Sequence, residues 1–198
     1  MELIDTIAAV DHALLRASRG TPDWATVFFF AITTVGGGWG ALAILPFLAQ
    51  RATRVTAAWL VAALLATSGT VTLIKALVGR ARPCDSLEWC APVFGASPGG
   101  HSFPSGHAAG SFAFALFVSM RKPTLAPLAL AFAACVAWSR VHLGVHYPTD
   151  VMAGALLGSA FGAAFAWAST RYFTDPWRSG SRSTAASHPA PDGSGRPG

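Results

Sequence analysis

Five apolar runs, separated by short polar segments, constrain the fold of this chain more than any other feature of its sequence. A helix needs about 20 predominantly apolar residues to cross a bilayer. Three of the runs reach that length, whereas the third and fourth need an extra turn from their flanks. The pattern predicts an all-α integral membrane protein, a bundle of five transmembrane helices formed by residues of about 25–49, 55–78, 105–120, 124–140 and 150–172.

The composition agrees with a membrane protein and argues against a nucleic-acid partner. Charged residues make up 12% of the chain, about half of the roughly 25% that is usual in soluble domains. The formal net charge is +5, but the basic residues are scattered in pairs between the apolar runs. Nucleic-acid binding normally needs a basic patch or stripe, so the sequence indicates the lipid bilayer as a partner and no nucleic acid. It does not indicate an oligomeric state.

Three regions follow from the pattern along the chain. Residues 1–23 predict an amphipathic helix lying on the membrane surface, because apolar residues recur every three or four positions while charged residues such as Asp11 fall largely elsewhere. The acidic start of this region predicts no cleaved signal peptide. Residues 24–173 are the predicted transmembrane domain. Residues 174–198 are rich in Ser, Gly, Pro and Arg, and predict a disordered cytoplasmic tail.

Basic residues set the predicted orientation of the bundle. Cytoplasmic loops of membrane proteins carry an excess of lysine and arginine. With five spans, three basic groups share one side, namely Arg51 and Arg54, then Arg121 and Lys122, then Arg171, Arg178 and Arg182. The opposite side receives the N-terminal helix and the loops 79–104 and 141–149. The sequence thus predicts a multi-pass protein of the inner (plasma) membrane whose second side faces the periplasm or the cell exterior.

Glycines predict where the helices come close together. Gly154, Gly158 and Gly162 are spaced by four and lie on one face of the last run, and such small residues let helices pack tightly in lipid. The segment 36–40, which contains four glycines, interrupts the first run and predicts a kink or a close helix contact. Both features indicate packing rather than chemistry.

Polar and ionisable residues collect at the non-cytoplasmic ends of the predicted helices. An ionised group costs roughly 2.5–3.5 kcal/mol at the bilayer centre and less toward its edge, so a chain that keeps several there is using them. The predicted topology brings the following residues together: Lys75, Arg82, Ser105, Gly106, His107, Arg140, His146 and Asp150. Cations, imidazoles, a carboxylate and a helix N-terminus in one place predict an anion site with acid–base groups.

The predicted roles divide this site into a phosphate-binding part and a chemical part. Ser105 and Gly106 follow Pro104, a residue suited to a helix start, and leave backbone N–H groups free for phosphate oxygens. The cationic side chains that would neutralise those oxygens in the transition state are Lys75, Arg82 and Arg140.

Two histidines and one carboxylate supply the predicted chemistry. His146 and Asp150 are four residues apart. We expect Asp150 to accept the N–H of one ring nitrogen and thereby present the other nitrogen as a nucleophile. His107 is predicted to protonate the leaving oxygen and later to activate water.

These residues form three motifs that resemble a known signature. Lys75-x6-Arg82-Pro83, Pro104-Ser105-Gly106-His107 and Ser139-Arg140-x5-His146-x3-Asp150 are similar to the three-part signature of the type 2 phosphatidic acid phosphatase (PAP2) superfamily. The resemblance is to its membrane branch, the lipid phosphatases. It implies a phosphohistidine on His146, acid–base work by His107, and no metal or cofactor. Bacterial members have six spans, one more than this sequence predicts.

The resemblance leaves the lipid open. Undecaprenyl diphosphate is the preferred substrate, and phosphatidylglycerol phosphate and phosphatidic acid are alternatives. A soluble haloperoxidase holding vanadate in the same constellation is disfavoured by the five apolar runs. A lipid carrier with a headgroup pocket would need only the cations for binding. It is disfavoured because the chain also keeps the nucleophile, the orienting carboxylate and the acid.

Three further features of the sequence concern His142, the pair of Cys84 and Cys90, and Arg80. His142 and His146 have the spacing of zinc ligands but lack the glutamate of the H-E-x-x-H pattern, so no metal site is predicted and His142 is read as a supporting residue. Cys84 and Cys90 fall on the non-cytoplasmic side, where disulfides persist, and the sequence leaves open whether they pair. Arg80 is either a solvated charge or a headgroup contact.

Overall fold

The computed structural model of the protein describes residues 2–19, 23–40, 42–91 and 99–172, and the regular elements in these ranges are all helices. The prediction of an all-α fold is therefore confirmed for the described residues. The predicted tail at 174–198 lies outside them. The helices are α1 (Glu2–Arg19), α2 (Asp23–Thr34), α3 (Leu45–Ala49), α4 (Arg54–Val78), α5 (Pro83–Ser86), α6 (Gly106–Arg121), α7 (Ala126–His142) and α8 (Pro148–Tyr172).

Several of these helices are long and apolar enough to cross a membrane. Within the described residues, three stretches qualify: Arg54–Ser86, Pro123–His142 and Pro148–Tyr172. A fourth span results if Trp24–Gly37 and Leu42–Ala49, which meet at 51°, form one broken helix. Helix α6 has 16 residues, fewer than the ~20 that a span usually needs. The protein is a multi-pass membrane protein, and the count of five spans stays a prediction.

Among the described helices, α6 and α8 share the most extensive contact. The reason is the row of glycines on α8, Gly154, Gly158 and Gly162. Gly158 lies against the backbone of Ala109 and Gly162 against that of Ala113, so that a Cβ at either glycine would overlap those atoms. Gly154 approaches the Ser105 carbonyl in the same way. The prediction of close packing along this face is confirmed.

The glycine-rich segment after α2 bends the chain, as predicted. A short π-helical turn spans Val35–Trp39, and Gly37 inside it has non-helical angles of φ −88° and ψ −155°. A Cβ at Gly37 would lie 3.0 Å from Nε2 of His107. The bend thus brings the backbone of this segment against a side chain at the start of α6.

Helix α1 packs on the bundle with a face that differs from the predicted one. Asp11 was expected on the polar face, and this is wrong, because its side chain is only 1% exposed. Its carboxylate accepts the backbone N–H of Thr149 at 2.9 Å and the Thr149 hydroxyl at 2.6 Å, at the N-terminal end of α8. Leu15 is fully buried beside Asp11, while Val10 and Leu14 are exposed.

The end of α6 that is remote from its N-terminus lies beside an apolar cavity of about 440 Å³. Arg121, in the last turn of α6, donates to the hydroxyls of Ser169 at 3.2 Å and Thr56 at 3.3 Å. The residues that line the cavity include Ile44, Leu60, Phe114, Phe117, Arg121 and Lys122.

Candidate active site

The predicted site residues meet where α4 and α7 end and α6 and α8 begin. The backbone N–H of Ser105 donates to the carbonyl of Asp150 at 2.9 Å, which joins the start of α6 to the start of α8. The N–H of His146 donates to the carbonyl of Arg140 at 3.2 Å, which joins the 143–147 loop to the end of α7. Backbone hydrogen bonds between helix ends therefore fix the place of the cluster.

Three cationic side chains face one another in this cluster. Lys75, Arg82 and Arg140 lie close enough for their charges to interact. Arg82 is held by the carbonyls of Gly100 at 3.1 Å and Val145 at 2.9 Å, while Lys75 Nζ donates to the carbonyl of His101. Like charges repel strongly where water is scarce, so such a group favours an anion between its members.

Arg140 is only partly satisfied by protein groups. Its Nη1 donates to the hydroxyl of Thr33 at 2.6 Å. Its Nε is buried and finds no hydrogen-bond partner among the described residues. Leaving a buried donor unsatisfied costs about 1–3 kcal/mol, and more for a charged group. A bound anion would remove this cost.

The start of α6 adds donors to the cluster. Ser105 is the residue before the first turn and is fully buried, yet its hydroxyl makes no hydrogen bond within the described part of the chain. The first N–H groups of any helix lack intrahelical partners, and Gly106 and His107 occupy these positions here. The helix dipole makes this end positive, so it reinforces the preference for an anion.

His146 and Asp150 face each other without forming the expected hydrogen bond. His146 Nδ1 lies 3.6 Å from Asp150 Oδ2, beyond the 2.7–3.2 Å that is usual for a hydrogen bond. The carboxylate is held elsewhere, because Oδ2 accepts the Tyr147 N–H at 2.9 Å and Oδ1 accepts Arg80 Nη1 at 2.6 Å. Such contacts are often long in an unliganded enzyme and shorten with substrate.

The environment of His146 keeps its imidazole neutral. Burial is the main cause that lowers the pKa of His146 from 6.5 to about 4, and the charges of Arg140 and Arg82 lower it further while Asp150 opposes them. At neutral pH the ring therefore carries no charge. A neutral imidazole has a free lone pair, which a nucleophile requires.

His107 completes the group of residues predicted from the sequence. It is the second residue of α6, and its ring lies within electrostatic range of Arg140 and His146. The two histidines thus belong to one cluster, as an acid and a nucleophile acting on the same phosphorus would require. All eight predicted residues lie at this end of the bundle.

Two residues that contact the cluster were not predicted to do so. Arg80 donates to Asp150 and also to Asp11 Oδ2 at 2.9 Å, so it is paired with two carboxylates, while 31% of its side chain stays exposed. Its place two residues before Arg82 was a signal that it lies near the site. Asp11 also had a signal, because it lies four residues after Ile7 and four before Leu15 and therefore shares their face of the helix.

Two neighbouring features support the loop that carries His146. Cys84 and Cys90 are joined by a disulfide, which answers the question that the sequence left open. The bridge packs on Gly144, whose φ of +72° suits glycine. His142 contacts the Ser18 carbonyl at 2.8 Å through Nδ1, in agreement with a supporting role.

Within residues 2–19, 23–40, 42–91 and 99–172, no three His, Cys, Asp or Glu side chains are grouped as metal ligands.

The fold and the site define a multi-pass membrane protein with a largely buried cluster of cationic side chains and histidines. The family model described as PAP2 superfamily matches residues 56–174. This range is more than half of the chain and contains all eight residues of the candidate site. The chain therefore belongs to the PAP2 superfamily.

Known proteins similar to this chain are phosphatases. A lipid A 4′-phosphatase from Bacteroides thetaiotaomicron is 39% identical over 98 residues, which are 46% of this chain and 44% of that protein. A decaprenylphosphoryl-5-phosphoribose phosphatase from Mycobacterium tuberculosis is 41% identical over 128 residues, 64% of this chain and 68% of that protein. The chain thus spans less than half of the first relative and about two thirds of the second.

A solved structure has the same fold. The crystal structure of a transmembrane PAP2-type phosphatidylglycerolphosphate phosphatase from Bacillus subtilis superposes with a TM-score of 0.71. The match covers 85% of this chain and 89% of the other, at 22% sequence identity. At that identity the likeness establishes the fold.

Proposed function

We propose that this protein is an integral-membrane lipid phosphatase that forms a phosphohistidine on His146. One observation carries the proposal: two buried polar atoms, Ser105 Oγ and Arg140 Nε, have no hydrogen-bond partner among the described residues and belong to a cluster of three cations at a helix N-terminus. A phosphoryl group has oxygens that accept from such donors. The Asp150 carboxylate, which lies near these cations, is itself bound by Arg80 and the Tyr147 N–H.

The first chemical step transfers phosphorus from oxygen to nitrogen. His146 Nε2 attacks phosphorus, and the bond from phosphorus to the leaving oxygen breaks. His107, which the charge of the bound phosphate keeps protonated, gives its proton to that oxygen, which leaves with the lipid. Asp150 stabilises the positive charge on the His146 ring through Nδ1–H, as the 3.6 Å separation shortens.

The second step releases inorganic phosphate. His107, now neutral, takes a proton from water, and the oxygen attacks phosphorus as the phosphorus–nitrogen bond breaks. His146 returns to its neutral state. Lys75, Arg82, Arg140 and the N–H groups at Gly106 stabilise the phosphoryl oxygens in both transition states.

The substrate that we propose is a polyprenyl-linked phosphate, with undecaprenyl diphosphate as the first compound to test. The support is indirect: the Mycobacterium tuberculosis relative, similar over 64% of this chain, is named for a decaprenyl-linked phosphate. In a competition assay, undecaprenyl diphosphate should outcompete phosphatidylglycerol phosphate and phosphatidic acid. Preferential hydrolysis of either phospholipid would reassign the substrate without changing the mechanism.

We also propose five spans, with α1 at the interface and the site facing the periplasm or cell exterior. The exposed apolar residues Ile7, Val10 and Leu14 give α1 a face for lipid. The basic residues at the other ends of the helices, Arg54, Arg121 and Arg171 among them, follow the positive-inside rule. In this arrangement residues 1–23 form the interfacial helix, 24–173 the phosphatase domain and 174–198 a cytoplasmic tail.

Phosphate release from detergent-solubilised protein tests the function. We expect turnover by the wild type without added metal, and loss of at least about 10³-fold in His146→Ala, the scale of losing a catalytic group. His188→Ala, in the predicted tail, is the matched control and should retain full turnover. Persistent turnover in His146→Ala contradicts the mechanism.

A second variant tests the intermediate itself. With an activated phosphate ester that needs no proton for its leaving group, His107→Ala should still form the phosphohistidine but hydrolyse it slowly. After denaturation in alkaline detergent, labelled phosphate should therefore accumulate on His146 in this variant. Absence of label there, in a variant that still consumes the ester, would rule out a covalent step.

A further inference from the structure

Arg80 connects two buried carboxylates that come from opposite ends of the sequence. Its Nη1 donates to Asp150 Oδ1 at 2.6 Å, and its Nη2 donates to Asp11 Oδ2 at 2.9 Å. Both carboxylate side chains are at most 1% exposed. The guanidinium also lies 4.0 Å from the ring centroid of Tyr147, so a hydrogen bond to each carboxylate and an aromatic face hold its position.

This contact determines how the Asp150 carboxylate is oriented. Arg80 Nη1 donates to Oδ1 and also to the Thr149 hydroxyl, the latter at 2.8 Å. The remaining oxygen, Oδ2, accepts the Tyr147 N–H and faces His146 Nδ1. A carboxylate that lost the Arg80 bond could rotate about its own axis and present either oxygen, or neither, to the imidazole.

Asp11 in turn determines how Arg80 is oriented. Its Oδ2 accepts from Arg80 and from the Thr149 hydroxyl, while Oδ1 accepts the Thr149 N–H. Helix α1 is also anchored one turn beyond this contact, because Leu15 is fully buried in the core with Tyr147 and Val151. The catalytic end of α8 is therefore fastened to α1 as well as to α6.

Charge compensation accounts for a cation between two buried carboxylates, but not for the geometry of its contacts. Taking charged groups out of water costs several kcal/mol for each ion, which their attraction often fails to recover. Here one cation is shared by two buried carboxylates, and Asp11 alone would suffice to cap α8. Only an arginine, with two nitrogens in a fixed plane, can set the distance between both carboxylates.

We propose that Arg80 is a positioning residue for the pair of His146 and Asp150, and that α1 is part of the active-site structure because Asp11 holds Arg80. This inference rests on the proposed function of His146. Arg80 acts through Asp150 and is not assigned to the phosphate. Its loss should slow chemistry and leave substrate binding nearly unchanged.

The kinetic test separates kcat from KM. Replacing residues that orient metal ligands typically costs about 10–100-fold. On the same scale, Arg80→Gln should lower kcat by about that factor while KM changes less than about threefold. Arg80→Lys keeps the charge but not the two-pronged geometry, and should recover only part of kcat. A normal kcat in Arg80→Gln, or a change confined to KM, overturns the inference.

Two further variants distinguish positioning from general support by α1. Asp11→Asn combined with Arg80→Gln should cost little more than Arg80→Gln alone, since both act through one contact. Arg16 on the same helix lies over the Trp89 ring at 4.6 Å and has no part in the contact. Arg16→Gln should therefore retain the wild-type kcat. Additive losses in the double variant overturn the role of Asp11.

A measurement without turnover keeps this inference separate from the proposed function. ¹⁵N shifts of the His146 ring, identified by their loss in His146→Gln, report which nitrogen carries the proton. We expect Nδ1–H to dominate in the wild type and a mixture of tautomers in Arg80→Gln. Unchanged tautomers in Arg80→Gln would end the inference, whereas a wild type that releases no phosphate would end the proposed function.

Discussion

The two ends of α6 each have an arginine bonded to hydroxyl groups, yet they differ in what surrounds it. At the N-terminal end, Arg140 lies in the last turn of α7, which also favours a cation, but it bonds to Thr33 and lies beside two other cations and the positive end of α6. At the other end, Arg121 bonds to Ser169 and Thr56 and sits in the last turn of α6, where the helix dipole favours a cation.

The difference shows what makes an anion site in this bundle. Arg121 is in an environment that already stabilises a positive charge, next to an apolar cavity. Arg140 has a helix C-terminus too, but burial and like charges around it oppose its charge. Under the proposed function, a bound phosphoryl group offsets that opposition. Residue type alone does not distinguish the two arginines; their neighbours do.

The sharpest test of this comparison makes the same substitution at both ends. Arg140→Lys keeps the charge but loses the planar donors, and should lower kcat/KM by about 10²–10³-fold, the effect of removing one transition-state donor. Arg121→Lys should leave kcat/KM within about twofold, the scale of a surface change. Steady-state assays on both purified variants measure this. Equal losses would remove the distinction between the two ends.

A smaller effect is expected midway along α6, where α8 keeps the two ends in register. Gly158→Ala places a methyl group against the backbone of Ala109, and overpacking of this kind costs about 1–3 kcal/mol. The Tm in detergent should fall. Gly110→Ala is the matched control, because a Cβ there meets no described atom within 4 Å, and it should hold or raise the Tm. A stable Gly158→Ala would contradict the close packing.

The smallest expected effect is that the His146 ring does not titrate in the ordinary range for histidine. Since the pKa of His146 is lowered to about 4, its ring should remain neutral as the pH falls from 8 to 5, and only below that range should it take up a proton. An NMR titration of the ring in the unliganded protein measures this directly. A midpoint near the ordinary histidine value would mean that the site end is less buried than the structure shows.

Much of the site could be predicted because its residues are tied to helix ends. A sequence that places Lys75, Arg140 and Asp150 at the boundaries of apolar runs brings them together once the runs alternate in direction. The glycines of α8 were equally readable, because a spacing of four places Gly154 and Gly158 on one face. These predictions needed only helix periodicity and topology.

Two features could not be predicted, for different physical reasons. Asp11 contacts Thr149 across 138 positions of sequence. The periodicity of α1 places Asp11 on the face of Ile7 and Leu15, but it cannot identify a partner so far along the chain. The 3.6 Å gap between His146 and Asp150 arises because Arg80 and the Tyr147 N–H compete with the imidazole for the same carboxylate. A spacing of four residues indicates proximity but cannot decide such a competition.

The contact between Asp11 and Thr149 also links catalysis to the order of synthesis. Asp11 leaves the ribosome before any of the long apolar helices, and its partner follows only when the last of them is being made. A chain halted before α8 is made therefore holds Lys75 and Arg82 but lacks the contact between α1 and α8. Under the proposed function, the site is assembled only once these two helices have met.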